Sequence, residues 1–232
     1  MSNVEIVILA AGRGSRMKSK KPKLLNLING KPIIEHTIIN AKKIKNSNIN
    51  IIINKNLNHL IKKFKGINFI KQKKALGTGD AIKTFLKHTK SLSNILIMMG
   101  DAPFINTVDL RRVIKKLKNY PIVVLGAKLK KNYGNGIIIL KKNLIKEIKE
   151  FKLLKKEEHY NKYCNTGVFG VQKKYLKLFF NLKKDKIIKE YLVTDILKIA
   201  YKKKIHSKLV KTKNINSFGI NTLAELKMIK KI

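Results

Sequence analysis

Short apolar runs alternate with stretches of helical periodicity along most of this chain, and that alternation restricts the possible folds more than any other feature. Val4 to Leu9 is aliphatic apart from Glu5 and breaks into the small, glycine-containing segment Ala10–Gly14; it reads as a buried strand entering a loop. After Gly30-Lys31-Pro32 the apolar positions Ile33, Ile34, Ile38, Ala41 and Ile44 recur at helical spacing, with the proline placed for a first turn. Ile49–Ile53 reads as the next strand, and Leu57, Leu60, Ile61 and Phe64 as a second helix. Ile67–Ile70 is a third strand, followed by a Gly77-Thr78-Gly79 turn and a helix from about Asp80 to Lys87. Asn94–Met99 is a strand ending at Gly100-Asp101-Ala102-Pro103; Val108–Leu117 is helical and Ile122–Ala127 extended. This order predicts an α/β fold with a mainly parallel sheet covered by helices on both faces.

The second half is less regular. Ile137–Leu140, Ile145–Phe151, Asn165–Val171, Ile205–Lys211 and Phe218–Ile220 are strand candidates, and helices are expected over Lys173–Asn181, Asp195–Lys202 and Thr222–Ile229. No internal repeat, linker or low-complexity segment divides the 232 residues, so one domain with an elaborated second half is expected.

Charge suggests a different class at first sight. Lys and Arg number 53 against 13 Asp and Glu, a formal net charge of +40, which taken alone suggests a polyanion binder. With 44% hydrophobic residues, however, the chain can bury a core and is not disordered. Arginine, the usual residue of bidentate phosphate and base readout, occurs only at positions 13, 16, 111 and 112. The lysines run along the whole chain, as in Lys18–Lys23, Lys71–Lys74, Lys128–Lys131 and Lys202–Lys204, and share A/T-rich codons with the abundant Ile and Asn. They read as solvated faces, and no specific nucleic-acid partner is expected. No apolar run approaches the roughly 18 residues of a membrane span, and Glu5 interrupts the short apolar stretch that a signal peptide would need. The single cysteine, Cys164, excludes an internal disulfide framework and a cysteine-rich zinc site. A soluble cytoplasmic chain without a membrane partner is the expectation.

In open α/β sheets, ligands sit outside the carboxyl ends of the strands. Three strand-end segments suit phosphate or metal. The first is Leu9-Ala10-Ala11-Gly12-Arg13-Gly14-Ser15-Arg16-Met17, whose small residues let backbone N–H groups approach an anion while two arginines supply charge. It is neither a Walker A loop nor a Gly-x-Gly-x-x-Gly fingerprint. Second, Lys23 is set between Pro22 and the apolar pair Leu24-Leu25, either as a fixed phosphate ligand or as one more solvated lysine. Third, Asp101 lies at a strand end in an acid-poor chain, where a carboxylate either holds Mg²⁺ bridging phosphates or caps a turn. His36, His59, His88, His159 and His206 show no metal-ligand spacing, and no Ser/His/Asp arrangement is legible.

Leu9 to Met17 followed by Pro22-Lys23 resembles the signature loop of the sugar-nucleotide pyrophosphorylases. More narrowly, it resembles the N-terminal uridylyltransferase domain of the bacterial bifunctional UDP-N-acetylglucosamine-synthesising enzymes. The similarity continues, in order, through Gln72 with Leu76-Gly77-Thr78-Gly79-Asp80-Ala81, Gly100-Asp101-Ala102-Pro103, Glu150 with Asn165-Thr166-Gly167, Glu190 to Asp195, and Gly219-Ile220-Asn221-Thr222. The resemblance implies a single Rossmann-like nucleotidyltransferase domain over 1–232, with a nucleotide-binding part at about 1–128, a sugar-binding part at about 129–221 and a terminal helix at 222–232. It implies that Arg16 and Lys23 hold the triphosphate and stabilise the transition state, with Leu9, Ala10, Ala11, Gly12 and Gly14 forming the nucleotide loop. Gln72, Gly77 and Thr78 would select uracil. Gly136, Glu150, Asn165 and Thr194 would hold the sugar phosphate, and Asp101 and Asn221 would coordinate Mg²⁺. The implied substrates are UTP and N-acetylglucosamine 1-phosphate. Siblings acting on other sugar phosphates or phosphocholine, and a non-catalytic basic binding protein, are the alternatives.

Two positions depart from the family pattern: Gly134-Asn135-Gly136 stands where Tyr-Gly-Arg is common, and Ala75 replaces a second glutamine. Ending at Ile232, the sequence carries no segment like the family's left-handed β-helix. The expectation is therefore no β-helix domain, no acetyl-CoA chemistry, and a separate acetyltransferase to supply the acceptor.

Overall fold

A computed structural model of the chain describes residues 4–17, 19, 21–89, 93–132 and 134–229. Lys18 and Lys20 of the basic run before Lys23, and the last three residues of the expected terminal helix, lie outside the described residues. In chain order the elements are β1 (Val4–Ala10), a small hairpin of β2 (Leu27–Ile28) and β3 (Lys31–Pro32), α1 (Ile33–Lys42), β4 (Ser47–Ile53), α2 (His59–Lys63), β5 (Asn68–Lys71), α3 (Thr78–His88), β6 (Asn94–Met99) and α4 (Thr107–Lys116). They continue with β7 (Ile122–Lys131), β8 (Ile137–Lys141), β9 (Leu144–Lys149), β10 (Tyr160–Val171), α5 (Asp195–Lys202), β11 (Ser207–Thr212) and α6 (Leu223–Ile229).

The main sheet runs β11-β7-β10-β6-β1-β4-β5, with β8 and β9 attached beside β10. Pairings of β1 with β4 and β6, β4 with β5, and β11 with β7 are parallel, while β10 runs antiparallel to both its neighbours. All seven residues of β1 are buried, and its side chains divide by the two-residue period of a strand. Ile6 and Ile8 join a core beneath α1, α2, α4 and α6; Val7 and Leu9 join a second core beneath α3 and α5. The expected mixed, mainly parallel sheet with helices on both faces is what the chain forms, and no β-helix is present among the described residues. Among those residues no helix is long and apolar enough to cross a membrane.

From β1 the chain moves outward through β4 and β5, then returns to place β6 on the other flank of β1. Connections therefore leave the carboxyl ends of β1 and β6 in opposite directions. That leaves a crevice at the switch point, where open α/β sheets bind ligands.

Several boundaries differ from the sequence expectation. Lys173–Asn181 winds as a 3₁₀ helix, in which Leu176 and Phe179, three residues apart, align on one face and are both buried. Phe218–Ile220 is not a strand: the Ile220 N–H donates to the Asp101 carbonyl at 2.9 Å, so this segment docks on a strand end and joins no ladder. The strand expected over Ile145–Phe151 ends at Lys149, and that expected over Asn165–Val171 begins earlier, at Tyr160. α3 starts at Thr78, inside the segment read as a turn.

Phe85 of α3 is fully buried beneath the sheet. Phe85→Ala should lower the unfolding free energy by about 3–5 kcal/mol, measured by urea titration, because a close-packed core relaxes only partly into the cavity left.

Candidate functional site

The nucleotide-loop candidates begin where β1 ends. Leu9 and Ala10 close the strand, and the Leu9 carbonyl accepts the Gly100 N–H at 2.9 Å, which ties this strand end to that of β6. Asn54, just beyond β4, donates to the Ala11 carbonyl at 3.0 Å. Gly12 is exposed, and the Gly14 carbonyl accepts the Met17 N–H at 3.0 Å as the chain turns toward Arg16. A Cβ on Gly14 would stand 2.5 Å from Cβ of Lys23, so the lysine stem lies directly on the loop.

Lys23 Nζ bonds the Asp101 carboxylate and also donates to Asn221 Oδ1 at 3.0 Å. Arg16 Nη2 donates to the same Asn221 oxygen at 2.8 Å. Segments 205 and 198 residues distant from Asn221 thus converge on one amide oxygen. Asn221 is itself held: its N–H donates to Glu225 at 2.6 Å, and the Glu225 N–H donates to Thr222 Oγ1 at 3.2 Å. Gly219 permits the close approach, since a Cβ there would fall 2.6 Å from Asp101 Oδ1.

Among the described residues no group of three or more His, Cys, Asp and Glu side chains converges as a metal site. The oxygens that could hold a cation are Asp101 and Asn221, and two of the chain's own cations already contact that pair. One carboxylate plus a neutral oxygen, beside groups that suit phosphate, fits a hard cation such as Mg²⁺, which completes its shell with substrate oxygens and water.

A second cluster lies alongside. The Thr194 hydroxyl donates to Glu150 Oε1 at 2.7 Å, and a Cβ on Gly136 would lie 3.5 Å from Glu150 Oε2. The Asn165 N–H donates to the Gly136 carbonyl at 2.8 Å, while Asn165 Oδ1 accepts the Gly167 N–H at 2.9 Å. The register of β10 against β7 shifts between Asn165 and Phe169, a bulge that breaks the ladder beside Asn165. Burial is the main influence on Glu150 and pushes its carboxyl above the usual range; Thr194 opposes this, Asp195 adds to it, and Lys198 and Arg16 oppose it. Arg16 bonds Asn221 in the first cluster and is near enough to the second for its charge to act on Glu150.

Gln72 is buried, and its Nε2 donates to Asp80 at 2.7 Å and to the Gly77 carbonyl at 3.3 Å. Gly77 has φ 106°, a conformation L side chains rarely adopt, and a Cβ there would meet the Tyr191 carbonyl at 2.5 Å. Thr78 Oγ1 accepts the Val193 N–H at 3.0 Å. Gln72, Gly77 and Thr78 thus sit beside the chain that carries Thr194. Sequence reasoning missed Asn54 and Glu225, and reached Tyr191 only as part of the Glu190–Asp195 motif. Asn54 acts through a side-chain bond to the distant Ala11 carbonyl, which has no local signature, but Thr222-x-x-Glu225 has the form of a helix capping box. Cys164 is buried and its thiol is pushed up to about 11, which makes it a packing group and not a nucleophile.

Sheet order, switch-point crevice and converging cations define an α/β protein that handles nucleotides. The chain belongs to the MobA-like NTP transferase domain family, which matches over residues 6–163. It is 40% identical over 238 residues to a protein named Bifunctional protein GlmU from Buchnera aphidicola subsp. Baizongia pistaciae (strain Bp), covering 99% of this chain and 52% of that protein. The protein of the same name from Buchnera aphidicola subsp. Acyrthosiphon pisum (strain Tuc7) is 34% identical over 98% of this chain and 50% of its own. The chain spans about half the length of these curated relatives. The fold matches a putative glucose-1-phosphate thymidylyltransferase from Bacillus anthracis with a TM-score of 0.76 at 21% identity, over 99% of this chain and 94% of the other.

Because folding raises the Glu150 pKa above its ordinary value of 4.5, the folded state binds more protons than the unfolded one in the window just above that value. The contribution of Glu150 to stability therefore falls as pH rises through this window. Glu150→Gln removes the titration, so urea unfolding of both proteins at about pH 4 and pH 7 should show the variant gaining relative stability at the higher pH.

Proposed function

We propose that this chain transfers UMP from UTP to N-acetylglucosamine 1-phosphate, giving UDP-N-acetylglucosamine and pyrophosphate. The observation that carries the reading is the convergence of Arg16, Lys23, Asp101 and Asn221 at the switch-point crevice beside the Leu9–Gly14 loop. The order of motifs along the chain and the two GlmU relatives support it.

Asp101 and Asn221 would hold Mg²⁺, which when bound neutralises phosphate charge and acts as a template for the triphosphate. The loop amides of Ala11, Gly12 and Gly14 take phosphate oxygens, and Arg16 and Lys23 neutralise the charge that develops in line at the α-phosphorus. Gln72, Gly77 and Thr78 read uracil. Gly136, Glu150, Asn165 and Thr194 orient the acceptor sugar, with Glu150 and Thr194 paired to engage its hydroxyl or amide groups. The acceptor phosphate is already an oxyanion near neutral pH, so no general base is required and positioning supplies the rate. In this assignment residues about 1–128 bind nucleotide and about 129–221 bind the sugar.

Pyrophosphate release from UTP with N-acetylglucosamine 1-phosphate, with and without Mg²⁺, tests the reading. A panel of other nucleoside triphosphates and phosphorylated acceptors tests specificity, which bears on Ala75 and Asn135. Absence of release with the proposed pair but release with another would reassign the substrates; absence with every pair would overturn the activity. Asp101→Asn should lower Mg²⁺-dependent turnover by about a hundredfold or more while leaving the unfolding transition cooperative. Arg16→Ala should lower kcat beyond any rise in the KM for UTP, the signature of a contact that strengthens in the transition state.

A further inference from the structure

The base-reading segment and the segment that carries Thr194 lie more than a hundred residues apart in sequence, yet hydrogen bonds join them directly. The Tyr191 N–H donates to the Leu76 carbonyl at 2.8 Å, and the Gly79 N–H returns to the Tyr191 carbonyl at 2.8 Å. Between these two bonds the Thr78 hydroxyl oxygen accepts the Val193 N–H at 3.0 Å. The next residue, Thr194, is the one whose hydroxyl donates to Glu150. There is no slack between the segments: Cβ atoms on Gly77 and Gly79 would lie 2.5 Å and 3.1 Å from the Tyr191 carbonyl oxygen. Leu182 also seals the contact, standing 2.6 Å from a Cβ on Gly79.

We infer that Thr78 is a positioning residue that couples the two halves of the site: nucleotide held on the segment 76–79 fixes the segment 190–195, and with it the Thr194–Glu150 pair that meets the acceptor. The inference rests on the proposed nucleotide site and adds a role for a hydroxyl otherwise assigned only to the base. As an acceptor toward Val193, the hydroxyl keeps its own hydrogen for a ligand, so one group bonds in both directions. Coupling of this kind is reciprocal, so an acceptor held by Thr194 and Glu150 tightens UTP by the factor by which UTP tightens the acceptor.

Thr78→Val removes the hydroxyl at nearly constant shape, and Thr78→Ser retains it. Segment-resolved amide hydrogen exchange on the full chain, with saturating UTP and Mg²⁺ and without them, reads the coupling. In wild type and Thr78→Ser, UTP should slow exchange in 9–16, 72–79 and 190–195, the last by about fivefold, the factor one ordinary hydrogen bond supplies. Thr78→Val also loses the hydroxyl's proposed contact to the base, so UTP is raised until the protection of 9–16 reaches the same plateau as in wild type. At that plateau the protection of 190–195 should be lost; a plateau never reached while Thr78→Ser reaches it assigns the hydroxyl to nucleotide binding alone and overturns the coupling role. Protection of 190–195 that is equal in Thr78→Val, lost in Thr78→Ser, or absent in wild type while 9–16 is protected, overturns the coupling and leaves the nucleotide site standing. If UTP protects none of these segments in wild type, the nucleotide site fails and the coupling fails with it.

Discussion

Three ends of the chain meet at the Asp101 carboxylate and the Asn221 amide, and the rest of the site is arranged around that meeting. Lys23 arrives from the segment after β1, Asp101 from the end of β6, and Asn221 from beyond β11. Backbone bonds fix the approach: Gly100 N–H to Leu9, and Ile220 N–H to Asp101. The Lys23 side chain is only 10% exposed and the Asp101 side chain 24%. A pair so withdrawn from water sacrifices hydration, and removing one partner would strand the other. Such a pair adds little net stability, which directs attention to what it keeps poised: a carboxylate and an amide oxygen facing positive charge at the strand ends.

The chain's large charge looks different once its arginines are placed. Arg16 enters the site, whereas Arg112 pairs with Asp109 at 2.8 Å and Arg111 reaches the Lys43 carbonyl at 3.3 Å. Asp109 in turn accepts a bond from the Thr212 hydroxyl at 2.6 Å, fastening α4 to the end of β11, from which the chain runs on to Asn221. Three of the four arginines thus make defined contacts, while lysine, Lys23 apart, covers much of the surface. A diffuse positive field of this kind favours the arrival of a triphosphate without defining where it sits.

Much of the fold was legible because the first half obeys two clean periods. β1, β4 and β6 show aliphatic runs of strand length, and α1 repeats its isoleucines at helical spacing. The second half obscured its elements for identifiable reasons. Lys173–Asn181 has buried residues three apart, which suits a 3₁₀ helix as well as an α-helix, and Ile220 is apolar because it plugs a strand end. The site was legible to the extent that glycines and lone acids mark strand ends. Asp101 and the Gly12–Gly14 loop stood out locally; Glu150, Thr194 and Asn221 were reached only through family resemblance, because what unites them is contact across 44 residues or more.

Two carboxylates in this site, Asp101 and Glu150, have opposite surroundings. Asp101 touches an ammonium; Glu150 is withdrawn, takes its hydrogen bond from a neutral hydroxyl, and is biased by burial toward its uncharged form. A hydrolase would use such a contrast as an acid and a base. Here Thr194 occupies one Glu150 oxygen, and the proposed acceptor would bring its own charge. In the proposed reaction this contrast would sort ligands: an anionic phosphate would be drawn to the Arg16–Lys23 side, while the uncharged hydroxyl and amide groups of a sugar would suit the Glu150 side. Arg16, which bonds Asn221 and whose charge also acts on Glu150, would in that reaction stand between the two substrates.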